Sequence, residues 1–164
     1  MHALELKIPP VVVIAVVAAL MWLVSWAVPG FGFTFSAAYL VAPILAVAGI
    51  AISALGIASF KRAGTTVNPM KPQSSSVLVV SGVYKLTRNP MYLGFLLVLL
   101  GWAVFLSNVL AFLLLQAFIA YMNRFQIEPE ERALASLFGQ DFADYKSRVR
   151  RWLISGGSGS FSIR

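Results

Sequence analysis

Two short stretches hold most of the reactive and ligand-binding side chains of this 164-residue chain. Residues 82–94 read G-V-Y-K-L-T-R-N-P-M-Y-L-G, and residues 124–131 read R-F-Q-I-E-P-E-E. Arginine, tyrosine, asparagine and grouped carboxylates can orient an anion, hold an amine or hydroxyl by hydrogen bonds, and wall a polar ligand. Other chemistry is excluded. The chain has no cysteine, so disulfides, thiolate metal sites and cysteine nucleophiles are ruled out, and its one histidine, His2, argues against an imidazole metal centre or a His-dependent triad.

Each of these residues also has a plain structural reading. Asn89-Pro90 suits a helix start, since asparagine caps free N–H groups and proline at the first helical position loses no bond. Tyr84 and Tyr92 suit a membrane interface, and Arg88 can snorkel towards headgroups. Pro129 suits the start of a further helix, with Glu130 and Glu131 complementing its positive end. Arg124 and Glu128 stand four apart and can pair on a helix surface for a few tenths of a kcal/mol.

The setting makes the clusters stand out. From Ile8 to Phe60, and from Asn89 to Asn123, there is no Asp, Glu, Lys, Arg or His. The chain is 59% hydrophobic and 12% charged, too little charge to cover a soluble domain. About 20 apolar residues cross a bilayer. Residues 10–28 and 38–60 meet that length, whereas 91–121 is too long for one span and is split by Ser107-Asn108, a pair suited to a tight turn. The expected fold is an all-α integral membrane protein of about four transmembrane helices. Two long spans are followed by a helical hairpin, 92–106 and 109–123, and then by a C-terminal cytoplasmic amphipathic helix.

Charge orients these spans. The linker 61–88 carries Lys61, Arg62, Lys71, Lys85 and Arg88 without an acid, and the tail after Tyr121 carries seven Lys or Arg, but the loop 29–37 carries no charge. The positive-inside rule therefore puts both termini, the linker and the polar clusters in the cytoplasm. The net charge of +7 gathers at span ends, which favours anionic lipid headgroups over nucleic acid as partners. Lys7 ahead of an apolar run resembles a signal peptide, but the run is long and no cleavage site follows closely, so an uncleaved span is expected.

Several local features bear on how the clusters are positioned. Ala42, Ala46, Gly49, Ser53 and Gly56 share one face of the second span, and Gly94 and Gly101 the third, which would let two helices approach closely. The linker, with Gly64, Pro69 and Pro72, reads as irregular, and Val77 to Val80 as a short apolar run that dips back towards the membrane and walls a site. Leu134, Leu137, Phe138, Phe142, Tyr145, Val149 and Trp152 recur at helical spacing, interrupted at Gly139, and the Gly/Ser-rich end from Ser155 reads as flexible. Three segments are thus expected: 1–60 with two spans, 61–154 as the core, and 155–164 as a tail.

Taken together, G-V-Y-x-x-x-R-N-P-x-Y-x-G, a helical hairpin, R-x-x-x-E-x-E-E, L-x-x-x-F-G and a Tyr-containing basic tail ending Arg151-Trp152 resemble the isoprenylcysteine carboxyl methyltransferase and phospholipid methyltransferase superfamily. The resemblance covers about residues 61–153, and the first two spans carry none of its signature. It implies an S-adenosylmethionine cofactor, leaving as S-adenosylhomocysteine, held between the linker, the start of the third span and the tail. The implied cofactor contacts are Val77, Leu78, Val79, Tyr84, Asn89, Pro90, Met91, Tyr92 and Glu128. The implied substrate-side residue is Arg124, and Glu130 and Glu131 are implied to pin the tail. Many relatives have His where this chain has Asn89, so no imidazole role carries over.

Methyl transfer needs no metal and no covalent enzyme intermediate, and positioning is its main demand. The expected partners are membrane lipids and a lipophilic or small methyl acceptor: a prenylcysteine carboxylate, a phospholipid amine or a thiol. Two other readings compete. The R-x-P-x-Y turn also resembles part of the membrane sterol reductases, which use a nicotinamide cofactor. A small scaffold or transporter subunit is the non-enzymatic alternative, although its polar groups would be expected at mid-membrane.

Overall fold

The computed structural model describes residues 5–65 and 75–153, so His2, Pro69, Lys71, Pro72 and the tail from Ser155 lie outside the described residues. Five α-helices account for most of the rest: α1 (Pro10–Ala27), α2 (Ala38–Arg62), α3 (Pro90–Leu106), α4 (Val109–Met122) and α5 (Glu128–Arg148). No strand occurs among the described residues beyond an isolated bridge between Gly32 and Asn108.

The apolar runs become helices at almost the expected boundaries. Helices α1 and α2 and the continuous stretch Val109–Arg148 are long and apolar enough to cross a membrane. Within the last of these, only the part up to Asn123 is free of charge. Helix α3 is apolar but has 17 residues, about 25 Å of helix against a hydrocarbon core of about 30 Å. Large apolar side chains stay exposed along α1 and α2, among them Val11, Val16, Trp22, Leu40, Val47 and Ile50. A surface of that kind belongs in lipid, and the chain is a membrane protein.

Small residues decide the packing that positions the polar clusters. Helices α2 and α3 lie in close contact, and the closeness depends on three glycines. A Cβ on Gly49 would strike the Gly94 carbonyl, one on Gly94 would strike the Ser53 hydroxyl, and one on Gly101 would lie 2.7 Å from the Ala42 carbonyl. Towards the other end of the seam, Gly56 leaves room for Pro90 and Met91, each 3.1 Å from a Cβ built there. Ser53 adds a hydrogen bond to the Met91 carbonyl at 3.2 Å. Gly94→Val should force the helices apart and cost about 2–3 kcal/mol, read as a lower melting temperature in detergent. A surface change such as Val47→Leu should cost under about 0.5 kcal/mol.

The hairpin turn follows its sequence. Ser107 takes a left-handed conformation (φ 47, ψ 46), and Asn108 caps α4 by accepting from the Leu110 N–H at 2.9 Å. The Asn108 amide also donates to the Val28 carbonyl at 3.1 Å, tying the hairpin to the end of α1. Below it, Met21, Leu99, Ala103, Ala111, Phe118 and Met122 form a fully buried core between α1, α3 and α4.

At the end of α4 the helix does not break for Pro129 as its sequence suggests. It widens into a π-helical turn, Asn123–Ile127, and continues as α5. Pro129 has no N–H to give the Phe125 carbonyl four residues back. Instead Leu6 N–H takes that carbonyl at 3.0 Å, and the Gln126 side chain donates to the Ile8 carbonyl at 2.6 Å. The segment before α1 is thereby docked on the α4–α5 junction, with an Arg132–Glu5 ion pair at 2.6 Å.

Candidate functional site

The two polar clusters meet at one end of the bundle. Helix α3 begins at Pro90 with Gly56 of α2 behind it, and α5 begins at Glu128 as the continuation of α4. A third element joins them. After Arg148 the chain turns extended and residues 149–152 cross both helix starts. Arg88 N–H donates to the Arg150 carbonyl at 3.0 Å, while the Thr87 hydroxyl and the Asn89 amide both donate to the Arg151 carbonyl at 3.0 Å. Trp152 donates to the Asn123 side chain at 3.1 Å.

Two of the structural alternatives are thereby corrected. Asn89 does not cap α3 with its side chain, because its amide is committed to the Arg151 carbonyl. Arg88 does not snorkel. Its side chain is 9% exposed, bonds the Val149 carbonyl at 2.7 Å, and pairs with Glu131 at 2.6 Å. Arg151 grips the same carboxylate from the other side, at 2.9 and 3.2 Å. Burial alone would raise the Glu131 pKa, but hydrogen bonds and charge from Arg151 and Arg88 outweigh it and hold the carboxyl below its ordinary value.

The three acids of the α5 start have separate environments. Glu128 is partly exposed, pairs with Arg124 at 3.1 Å as their spacing predicts, and has the Arg151 guanidinium at 3.9 Å. Glu131 is held by two arginines. Glu130 has no Lys or Arg nitrogen within ion-pair distance among the described residues and instead accepts a short hydrogen bond from the buried Tyr92 hydroxyl. Burial pushes its carboxyl up to about 8, with the Tyr92 hydrogen bond opposing and the neighbouring Glu131 adding.

The aromatic and linker positions flank this junction. Tyr84, in a 3₁₀ turn at Gly82–Lys85, is 5% exposed, packs edge-on against Phe60 and accepts at its carbonyl from the Tyr145 hydroxyl at 2.8 Å. Val79 is buried, and Leu78 packs against Phe142, Tyr145 and Val149, but Val77 is exposed. Pro90 is buried and Met91 half-buried against the α2 seam. On the expected amphipathic helix, Gly139 (φ 48, ψ −117) makes the interruption, Phe142 and Tyr145 face inward, and Leu137 departs from the pattern by facing solvent. Val149 and Trp152 lie beyond the helix end.

The bend at Gly139 opens a cleft of about 460 Å³ lined by Glu128, Glu131, Arg132, Phe142, Lys146 and Arg151 among others. A lining that carries both cations and carboxylates suits a ligand with both an anionic and an ammonium group. No group of three or more metal-ligating side chains occurs among the described residues. Sequence reasoning missed Glu130 as an isolated carboxyl, Asn123 as a tail anchor, and the N-terminal docking. The signal for the last was Pro129, whose missing N–H leaves a helix carbonyl to be claimed.

Comparison with known proteins bears on these same residues. Residues 37–141, well over half of the chain, match the phospholipid methyltransferase family. An uncharacterized protein of Haemophilus influenzae is 51% identical over 63 residues, 38% of this chain and all of that protein. A probable protein-S-isoprenylcysteine O-methyltransferase of Oryza sativa subsp. indica is 31% identical over 113 residues, 67% of this chain and 58% of the rice protein. The protein-S-isoprenylcysteine O-methyltransferase of Saccharomyces cerevisiae is 35% identical over 82 residues, 48% of this chain and 33% of the yeast protein. This chain thus spans less than two thirds of either named methyltransferase. The matched region contains the α2–α3 seam, the hairpin and both polar clusters, and the chain belongs to the phospholipid methyltransferase family of enzymes.

Proposed function

We propose that this protein is a four-span integral membrane methyltransferase that uses S-adenosylmethionine, with its site and both termini on the cytoplasmic side. The acceptor is a lipid-like or small molecule: a prenylcysteine carboxylate, a phospholipid amine or a thiol. The observation that carries the reading is that both family-matched polar clusters converge beside the two-signed cleft at the bend of α5. Segment 1–60 then serves as a membrane anchor and packing partner, and 61–154 carries the chemistry.

The residues present fit the cofactor's amino-acid end. Glu128 would accept from its ammonium, and Lys146 and Arg151 would face its carboxylate across the cleft. Tyr84 and Tyr92 would wall the adenine or sulfonium side, the latter through the attraction of aromatic faces for a cation. Val77, Leu78, Val79, Asn89, Pro90 and Met91 complete the proposed binding surface. When bound, the cofactor supplies a methyl group activated by a positive sulfur. This chain's part is to hold donor and acceptor in line and keep water out, where orientation alone reaches effective molarities of about 10⁵–10⁸ M.

Arg124, exposed at the α4–α5 junction and in reach of Glu128, is the proposed anchor for an anionic acceptor. Arg124→Ala should lower kcat/KM for a prenylcysteine carboxylate about 10–100-fold, the worth of one charge-assisted hydrogen bond, and leave donor affinity within about twofold. Transfer of labelled methyl to a panel of prenylcysteine, phospholipid and thiol acceptors tests both points. Equal activity of wild type and Arg124→Ala on the preferred acceptor would remove Arg124 from the site.

A further inference from the structure

The π-helical turn between α4 and α5 bears Arg124 within it and Glu128 at its end, the two side chains given the most direct roles above. Both are partly exposed, so their positions follow the backbone that bears them. That backbone is in an uncommon state. The Glu128 N–H bonds the Asn123 carbonyl five residues back, one residue further than in an α-helix. Closing the turn to α-helical spacing would rotate α5 by about 100° against α4, carrying Glu128, Glu131 and Arg132 with it. The register of this one turn therefore decides which way that wall of the cleft faces.

Two segments far apart in sequence clasp the turn. From the C-terminal side, Arg151 and Trp152 both donate to the Asn123 side chain, at 3.4 and 3.1 Å. From the N-terminal side, the Leu6 N–H takes the Phe125 carbonyl at 3.0 Å, and Gln126 donates to the Ile8 carbonyl at 2.6 Å. This second clasp is held against two local preferences. Gln126 is a fully buried polar side chain, and its Oε1 has no hydrogen-bond partner among the described residues. An apolar residue would satisfy burial there better. Leu6 sits at φ 56, a left-handed conformation that a branched side chain disfavours. Backbone strain of this kind persists where the surrounding contacts demand it, and it gathers at functional sites. The Glu5–Arg132 pair at 2.6 Å extends the clasp to a residue that lines the cleft.

We propose that residues 5–8 form a strap that fixes the register of the π-turn, with Leu6 and Gln126 as positioning residues for Glu128. The proposal rests on the methyltransferase reading, in which Glu128 accepts from the donor's ammonium. The strap sets that carboxylate in place before the ligand arrives, so that binding does not have to order it.

Two variants release the strap by different means. Gln126→Leu keeps an apolar filling of similar size and removes the bond to Ile8. Leu6→Pro removes the N–H and cannot adopt a positive φ. Titration calorimetry of detergent-purified protein with S-adenosylmethionine, on each variant alone and combined with Glu128→Ala, separates positioning from general damage. Each strap variant alone should weaken donor binding about tenfold. In the Glu128→Ala background the same change should weaken it further by less than about twofold, because the side chain it positions is gone. Leu6→Pro lies outside every helix and serves if Gln126→Leu does not fold. Equal losses in the two backgrounds would make the strap a purely structural clasp, and unchanged affinity in both strap variants would remove it from the site. Either result would overturn the proposal and leave the methyltransferase reading standing. Normal binding by Glu128→Ala alone would overturn it too, since the strap would then have no donor contact to position. A folded wild type that binds no S-adenosylmethionine would overturn the proposal and the methyltransferase reading together.

Discussion

Glu131→Gln is expected to destabilise the protein by about 3 kcal/mol, as much as any other substitution at the polar clusters. Its carboxylate is 11% exposed and is shared by Arg88, itself 9% exposed, and by Arg151 at 28%. Removing the acid strands two guanidinium groups, one of them buried, and breaking such a pair costs about 3–5 kcal/mol because the remaining charge stays desolvated. The damage would not stay local. Arg88 also holds the carbonyls of Lys146 and Val149, so a loosened Arg88 frees residues 149–152 from both helix starts. The pH dependence has a definite sign. The Glu131 pKa is lowered on folding, so its stabilisation is complete above the ordinary carboxylate value of 4.5 and is lost as pH falls towards the folded value. Thermal melts in detergent should show wild type losing stability below about pH 4.5 and Glu131→Gln losing much less over the same range. Identical acid profiles would show that the Arg88–Glu131–Arg151 network does not hold the fold.

Glu128→Ala should have the opposite profile: little change in stability and a large loss of cofactor affinity. Its pair with Arg124 is exposed on both sides, 44% and 38%, and such pairs contribute about 0–1 kcal/mol. Its proposed hydrogen bond to the donor's ammonium is charge-assisted, and losing it should weaken binding about 10–100-fold. Tyr92→Ala should reduce affinity as well, but with a stability cost of about 3 kcal/mol, since it empties a position that is 3% exposed at the α3–α5 contact. The contrast between the two variants separates a residue that contacts only the ligand from one that also holds the scaffold. Calorimetry and melting curves on the same preparations check it, and a Glu128→Ala protein that binds normally would exclude this acid from the site.

Much of the framework was legible in the amino-acid order because its causes are local. Absence of charge over residues 8–60 and 89–123 marks the apolar helices, and Ser107-Asn108 marks the hairpin through a left-handed turn residue and a cap. The stripe from Ala42 to Gly56 announced the α2–α3 seam, because glycine has no other reason to recur on one face of an apolar helix. What stayed hidden depends on backbone groups brought together over long sequence distances. Asn89, Thr87 and Arg88 all bond main-chain carbonyls of residues 149–151, and a carbonyl has no signature in the residue that carries it. Glu130 and Glu131 are adjacent and identical in type, so only the fold reveals that one meets two arginines and the other a tyrosine.

If the convergence of the two clusters forms a site for S-adenosylmethionine, direct binding shows it without knowledge of the acceptor. Calorimetric titration of S-adenosylmethionine and S-adenosylhomocysteine into detergent-purified wild type, with Glu128→Ala alongside, is the measurement to make. Saturable one-to-one binding to wild type is expected, weakened about 10–100-fold in Glu128→Ala at unchanged melting temperature. A folded wild type that binds neither compound, particularly one that binds NADPH instead, would contradict it.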